Sequence, residues 1–417
     1  MRPGRSASRP EAERNQRERL FAATVATVAR KGLEEVTVED LTTLSGVSRS
    51  AFYKHFTDRQ ACFMAAMSEL IEPMVEVATM EIELAEEESC KQAFERLLRS
   101  IAAQPAAAKS YFELHAAGPA GVALERRLLK GFEALGGGLL AAADDGQGMA
   151  PEIVAALIGG IQAVIHRRLY EEKEDELVEL APGMREWLFS YRPPPGPLGR
   201  AHHARQKKAT FEERQRQSKP RERLLRSFAA ILAEKGVRDT AVAEIVRRAK
   251  TSQRSFYDCF LDKEEAMGAA LETGAAQMLA AALPALRSNP DWPEVVSETL
   301  EAAFSCGVRE PEYAALGEMR TYARRTRTLG QREILAELAE GLVRPGYERA
   351  PEMPAIAAEA IGGALYSLFC EHVRAAGTKT ATDMVPAAVY VTLAPFLGAE
   401  EAYRMAISGR KAVEERV

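Results

Sequence analysis

The stretch SGVSRSAFYKHF, residues 45–56, concentrates cationic, hydroxyl and aromatic side chains in a short length of chain. Arg49 lies four residues before Tyr53, and Ser50 lies four residues before Lys54, so on a helix each pair shares a face. Guanidinium, ammonium and hydroxyl groups donate hydrogen bonds to phosphate oxygens and to base edges. The pattern favours a nucleic-acid-binding surface over an ordinary amphipathic surface helix.

The elements that would position this surface are predicted just before it. Thr37 stands three residues before Asp40, which is the spacing of a capping box at the start of a helix. Gly46 permits a turn with positive φ, and Ser48 can cap the helix that follows. The order helix, glycine turn, helix is the signature of a helix-turn-helix, whose second helix enters the DNA major groove.

The chain repeats itself. A shift of 204 positions places residues 17–66 on residues 221–270 with 16 identities in 50 and no gap. The segment PEIVAALIGG, residues 151–160, matches PAIAAEAIGG, residues 354–363, at a shift of 203. A repeat of this length is a domain duplication, because solenoid units run to about 20 to 50 residues.

Apolar residues at helical spacing indicate an all-α fold in both copies. No strand alternation bounded by turns is visible, and Phe52 and Phe56 lie four apart on an expected buried stripe. The same stripe is repeated in the first helix of each copy, by Phe21, Val25 and Val28 and then by Leu225, Ala229 and Leu232.

The segment TVEDLTTLSGVSRSAFYKHFTDRQACFMAAM resembles the TetR/AcrR family of transcriptional regulators. The resemblance implies, in each half, a three-helix helix-turn-helix domain followed by a helical ligand-binding and dimerisation domain. It further implies a repressor-like switch, in which an effector moves the recognition helices apart. The segment departs from the family pattern at Arg59 and Gln60, and it keeps Gly46, Val47, Ser48, Tyr53, His55 and Phe56.

The repeat and the resemblance together predict the domain boundaries. They are a basic arm (1–16), a first helix-turn-helix domain (17–66), a first helical domain (67–192), a proline-rich and then basic linker (193–219), a divergent second helix-turn-helix domain (220–270) and a second helical domain (271–417). Each copy is thus preceded by a cationic segment, since residues 200–223 carry nine Lys and Arg against three Glu. Arms of this kind can add phosphate contacts, although a charge run can also be a solvated linker.

The resemblance assigns DNA-facing positions residue by residue. In the second copy Lys250 replaces Gly46, which predicts a turn that is strained or differently shaped, while Asp258 replaces Lys54 and Cys259 replaces His55. The candidate DNA contacts are Thr37, Thr42, Ser48, Arg49, Ser50, Tyr53, Lys54 and His55 in the first copy, and Ser252, Gln253, Arg254 and Tyr257 in the second.

In the resembling family the last two helices of the domain form a four-helix bundle with a partner. Two such copies in one chain could pair with each other, which predicts an intrachain pseudodimer; a homodimer that uses only the first helix-turn-helix is the alternative. The expected contact residues are Ile158, Gly159, Gly160, Ile161 and Ile165, packed on Ile361, Gly362, Gly363, Leu365 and Leu368.

Helices similar to the family's pocket-lining ones suggest a site for a small apolar effector. Aromatic residues at helical spacing are more often core, so both interpretations stay open. The candidate pocket residues are Tyr111, Phe112, His115, Tyr313 and Met319.

Composition limits the other possibilities. The net charge of −5 places any DNA affinity in local patches, and five scattered cysteines fit a reducing compartment. No catalytic triad, metal-ligand spacing, cofactor motif, secretory signal or long uncharged apolar segment is apparent, so we expect a cytoplasmic protein that is not an enzyme and binds a double-stranded DNA operator. A protein adaptor with degenerate DNA binding is the competing hypothesis.

Overall fold

The computed structural model describes residues 9–83, 87–142, 148–200, 210–235, 240–287, 291–318 and 330–414. These residues form α-helices joined by turns and short 3-10 segments, with no strand in the described ranges. The all-α class expected from the sequence is confirmed. The chain divides into two compact units, the first made of residues 1–146 and 165–185 and the second of residues 147–164 and 186–417.

The first unit begins with a helix-turn-helix domain and continues into longer helices. Its helices are α1 (Arg9–Lys31), α2 (Val38–Ser45), α3 (Arg49–His55), α4 (Arg59–Glu83), α5 (Glu87–Ala103), α6 (Pro105–Tyr111) and α7 (Gly118–Ala142), followed by the end of α8 (Pro151–Tyr170) and most of α9 (Glu176–Leu188).

One hydrophobic core holds the first helix-turn-helix in place. Leu20 of α1, Leu41 of α2, Phe52 of α3 and Phe63 of α4 are all completely buried in it. Burying side chains of this size stabilises the fold by about 1.5 to 3 kcal/mol each. Because α3 contributes its aromatic stripe to this core, its opposite face must point to solvent.

The second unit repeats the arrangement. After the first part of α8 it contains α10 (Phe211–Gln217), α11 (Pro220–Lys235), α12 (Val242–Ala249), α13 (Gln253–Tyr257), α14 (Lys263–Leu286), α15 (Trp292–Arg309), α16 (Pro311–Ala314), α17 (Gly330–Arg349), α18 (Ile356–Ala376), α19 (Val385–Leu397) and α20 (Ala399–Glu414). Leu224, Ile245 and Phe256 are buried in its helix-turn-helix core.

Part of the segment expected to be a linker is a helix. Thr210 and Glu213 form a capping box at the start of α10, with the Thr210 amide 2.6 Å from Glu213 Oε2. The buried Gln215 then donates from Nε2 to Ser227 Oγ of α11 over 2.6 Å. Helix α10 cannot continue into α11, because the ring of Pro220 would clash with the carbonyl four residues earlier. The first copy runs through the corresponding position as the unbroken helix α1.

The compact units follow contacts in space, and the domain boundaries expected from the repeat stay a prediction. Residues 147–164 and 186–192 belong to the second unit, whereas the repeat placed them in the first helical domain. The physical reason is the packing of α8 on α18, described below.

Three helical segments are long and apolar enough to cross a membrane by length and composition. They are 151–170, 263–286 and 378–397, and 67, 22 and 78 % of their most apolar windows are buried inside the structure.

Candidate nucleic-acid interface

The first helix of the motif, α2, begins at a closed capping box. Thr37 Oγ1 accepts a hydrogen bond from the Asp40 amide over 3.2 Å, and Asp40 Oδ2 accepts from the Thr37 amide over 2.7 Å. Two donors that would otherwise lack a partner at the helix start are thereby satisfied. The capping box predicted from the sequence is confirmed.

A glycine turn separates α2 from α3. Gly46 adopts φ +63° and ψ +21°, in the left-handed region where a residue without Cβ is not strained. Arg19 Nε donates to the Ser45 carbonyl over 2.8 Å and so satisfies one of the last acceptors of α2. Ser48 then caps α3, accepting from the Ala51 amide over 3.2 Å.

The recognition face of the first copy is the solvent side of α3, formed by Arg49, Ser50, Tyr53 and Lys54. All four side chains are exposed, and Tyr53 retains 48 % of its accessible surface. The guanidinium carbon of Arg49 lies 5.8 Å from the centre of the Tyr53 ring, a cation–π distance that orients both groups. This face presents donors to solvent and can bind phosphates and base edges.

The remaining predicted contacts of the first copy lie at the edges of this face. Thr37 and Ser48 are exposed while they cap their helices, and Thr42 is half-buried with its hydroxyl donating to the Val38 carbonyl over 2.9 Å. His55 is also half-buried, with Nε2 3.2 Å from Gln16 Oε1. The DNA-facing role of these residues stays a prediction.

An ion pair makes the first motif sensitive to acid. Lys31 Nζ lies 2.6 Å from Asp40 Oδ2, and this bond, with those from Thr37, holds the pKa of Asp40 well below its usual value. A carboxyl with a lowered folded pKa stabilises the fold above its unfolded pKa of about 4, and that stability is lost as pH falls below it.

We therefore expect Asp40→Asn to lower the free energy of unfolding by about 1 kcal/mol at neutral pH, as cap losses do. The difference from the wild type should shrink between about pH 5 and pH 2. Urea unfolding followed by circular dichroism measures both effects. The exposed neighbour Glu39, replaced by Gln, serves as control, and an equal loss in that variant would contradict the assignment.

The second copy keeps the ion pair and the helix cap of the first motif, but the side chains on its exposed face differ. Its pair Lys235–Glu244, at 2.7 Å, stands where Lys31 and Asp40 stand in the first. Ser252 caps α13, accepting from the Ser255 amide over 3.1 Å. Tyr257 retains 57 % of its accessible surface.

The polar face of α13 carries mixed charge. Gln253, Arg254 and Asp258 are exposed, and Arg254 Nε lies 4.0 Å from Asp258 Oδ2 in a weak surface pair. Asp258 would repel phosphate, whereas a carboxylate can accept from a cytosine amino group. The second face is thus less cationic than the first.

The turn of the second copy is strained, as the sequence predicts. Lys250 occupies the position of Gly46 with φ +52° and ψ +51°. A residue with a Cβ in this region costs about 1 to 2 kcal/mol.

Accordingly, Lys250→Gly should raise the stability of the second unit by about 1 kcal/mol. Both tryptophans of the chain, Trp187 and Trp292, lie in that unit, so their fluorescence during urea unfolding reports it specifically. Lys250→Ala removes the same charge and keeps the Cβ, so its stability should stay within about 0.5 kcal/mol of the wild type. Equal gains in the two variants would exclude backbone strain as the cause.

Comparison with protein families identifies these two motifs. The model described as bacterial regulatory proteins, tetR family, matches residues 20–66 and 224–270, which cover both helix-turn-helix motifs. The chain therefore carries the DNA-binding domain of that family twice, and it is a DNA-binding transcriptional regulator.

Solved structures of tetR-type regulators resemble parts of the chain. The fatty acid degradation regulator FadR from Bacillus halodurans is 17 % identical over 43 % of this chain and 96 % of its own, with a TM-score of 0.39. PfmR from Thermus thermophilus is 20 % identical over 46 % of this chain and 98 % of its own, with a TM-score of 0.35. RolR in complex with resorcinol is 21 % identical over 47 % of this chain and 96 % of its own, with a TM-score of 0.34. No curated protein matches the chain significantly in sequence.

Helices α8 and α18 meet at their glycines, within the second unit. A Cβ added to Gly160 would lie 2.4 Å from the Ala360 carbonyl oxygen, and one added to Gly363 would lie 2.4 Å from Ala163 Cβ. A Cβ on Gly159 would lie 2.1 Å from Ser367 Oγ. The two backbones therefore approach as closely as glycine permits.

Most other residues expected at this contact are buried. Ile361 is fully buried, whereas Gly362 and Leu365 are half-buried; Ile158, Ile161, Ile165 and Leu368 are buried. Two tyrosines add hydrogen bonds within the second unit, since Tyr191 donates to the Val391 carbonyl over 2.7 Å and Tyr390 donates to the Arg192 carbonyl over 2.5 Å.

The candidate effector residues lie largely in packed aromatic clusters. Tyr111 is buried in the first core and meets Phe112 edge to face at 5.2 Å, and Phe112 meets His166 at 4.7 Å. Tyr313 is buried in the second core. His115 is half-buried, and Met319 lies outside the described residues. A pocket formed by these residues stays a prediction.

A buried ionic cluster joins the second helix-turn-helix to the rest of its unit. Arg226 of α11 pairs with Glu310 and, over 3.2 Å, with Glu312, which also pairs with Arg214 of α10. Burial alone would lower the pKa of Arg226, but the bond to Glu310 raises it, so the charge is retained. The first copy has Ala22 at the position of Arg226, so this cluster is specific to the second copy.

Within the described residues no group of three or more His, Cys, Asp or Glu is placed to hold a metal ion. Cys62, Cys259, Cys306 and Cys370 are free thiols.

Proposed function

We propose that the chain acts in the cytoplasm as an effector-responsive repressor, and that one chain binds its operator as an intrachain pseudodimer. The observation that carries the DNA-binding part is the exposed face of Arg49, Ser50, Tyr53 and Lys54, fixed from behind by the buried Phe52. Two motifs in one chain replace the association of two subunits by an intramolecular one, at an effective concentration of roughly millimolar.

The close packing of α8 on α18 supports the pseudodimer. Gly159, Gly160 and Gly363 come from equivalent helices of the two repeats, and they lie against each other's helices within one compact unit. A homodimer that reads DNA only through its first motif is the second candidate, and the exposed Asp258 favours it.

Selection of bound fragments from a random pool of duplex DNA tests the proposal. Because the two recognition faces differ, a pseudodimer should select two dissimilar half-sites about one helical turn apart. A perfect inverted repeat would instead indicate two chains, each using its first motif. Failure to select any duplex would favour a protein adaptor.

The participation of the second motif can be tested through Asp258. If α13 lies against phosphates, Asp258→Lys should strengthen binding by about tenfold and steepen the dependence of log affinity on log salt by about one. Asp175→Lys, in the turn before α9, makes the same charge change at an exposed site of the first unit and controls for net charge. Equal effects of the two substitutions would show that the second motif does not contact DNA.

A further inference from the structure

The second unit contains a cavity of about 610 Å³, a volume that suits a drug-sized molecule. One wall is the first turns of α8, another is α18 from Ser367 to His372, and the third is a strap, residues 193–200, that precedes the second repeat. Most lining side chains are apolar, among them Ala155 and Leu368.

The strap is a preformed wall. Pro194 and Pro197 line the cavity, and their rings fix φ, so little backbone freedom remains to be lost when a ligand binds. The strap exists only because two repeats share one chain, so the cavity has no counterpart within a single repeat.

One buried polar residue lines the cavity without a hydrogen-bond partner among the described residues. Ser367 is 6 % exposed and lines the cavity, and its hydroxyl makes no hydrogen bond to any described residue. A ligand with one polar group at this depth would satisfy this hydroxyl.

The charged residues around the cavity leave one carboxylate for a cation. Glu152, Glu371 and the guanidinium of Arg200 line the cavity. Glu371 is paired with Arg374, whereas the exposed Glu152 has no ion-pair partner within the described residues. His372 is held by Thr380, with Nε2 3.0 Å from its Oγ1. An ammonium group between Glu152 and Ser367 would have an acceptor on each side.

We propose that this cavity is the effector site and that it takes a small apolar molecule carrying one protonated amine. The proposal rests on the effector-responsive function proposed above. A ligand there touches α8, α18 and the strap together, and the strap continues in sequence toward the second helix-turn-helix. Occupancy should therefore change the affinity for the operator.

Calorimetric titration of the full chain with three molecules of one shape tests the ligand class without DNA. Naphthylmethylamine should bind at least about tenfold more tightly than naphthylmethanol, and naphthoate should bind most weakly. Glu152→Gln should bring the amine and the alcohol to near-equal affinity, while Glu179→Gln, at an exposed site on α9, should not. Ala155→Phe should remove binding of all three by filling the cavity.

Equal binding of the three molecules, preference for naphthoate, no binding, or binding that neither cavity substitution alters would overturn the site assignment. Saturating naphthylmethylamine should also weaken operator binding by at least about fivefold. Amine binding with unchanged operator affinity would overturn the effector role. A chain that binds the amine and no DNA would support the site and contradict the proposed function instead.

Discussion

Replacing Tyr53 and Lys54 together by alanine is expected to lower the affinity for the operator by about 100-fold or more. Each side chain lies on the exposed face of α3, and a lost base or phosphate contact costs about 1 to 3 kcal/mol. Anisotropy titration of a labelled selected duplex at fixed salt measures the change.

Two controls separate lost contacts from lost structure. The Tyr53 ring packs edge to face on Phe52 at 5.3 Å, so Tyr53→Phe keeps that packing and removes only the hydroxyl. The matching double variant of Tyr257 and Asp258 should weaken binding far less, because Asp258 is repulsive toward phosphate. A double variant of the first copy that folds normally and binds DNA as the wild type does would show that α3 is not the recognition helix.

Gly160→Ala is expected to destabilise the second unit by about 2 kcal/mol. The new Cβ would meet the Ala360 carbonyl oxygen at 2.4 Å and Trp187 Cη2 at 3.0 Å, so the helices must move apart. Urea unfolding followed by tryptophan fluorescence measures the loss, since both tryptophans lie in this unit.

Gly148→Ala is the matched control, because a Cβ at that position meets nothing within 4 Å. The control should change the free energy of unfolding by less than about 0.5 kcal/mol. If Gly160→Ala were as mild, the close contact of α8 and α18 would not be a source of stability. The pseudodimer also predicts weaker operator binding for Gly160→Ala than for the control.

Local features of the first motif could be predicted from its sequence because each depends on residues close in the chain. The capping box joins Thr37 to Asp40, and the left-handed turn requires only Gly46. The same reasoning applied to the second copy predicts the strained turn at Lys250. Helical spacing likewise predicts that Phe52 is buried and Tyr53 exposed.

Helix α10 could have been found from its sequence. Thr210 and Glu213 have the same capping-box spacing as the first motif, but the neighbouring prolines and the basic charge run favoured a linker. Pro194 and Pro197 shape the strap, and they do not prevent a helix that begins at Phe211.

The ionic cluster and the cavity could not be predicted in this way. Arg214 and Glu312 are 98 residues apart, and nothing in either local sequence selects the other. The cavity depends on three separate segments, and its unpartnered Ser367 is recognised only once the neighbours are in place. Such features arise from tertiary packing, which single-sequence patterns do not encode.

The mass of the complex between the chain and its selected operator tests the central claim most directly. Light scattering at micromolar concentration should give one chain of 45.7 kDa for each duplex, with both half-sites protected from cleavage. Two chains on each duplex, with identical half-sites, would contradict the intrachain pseudodimer.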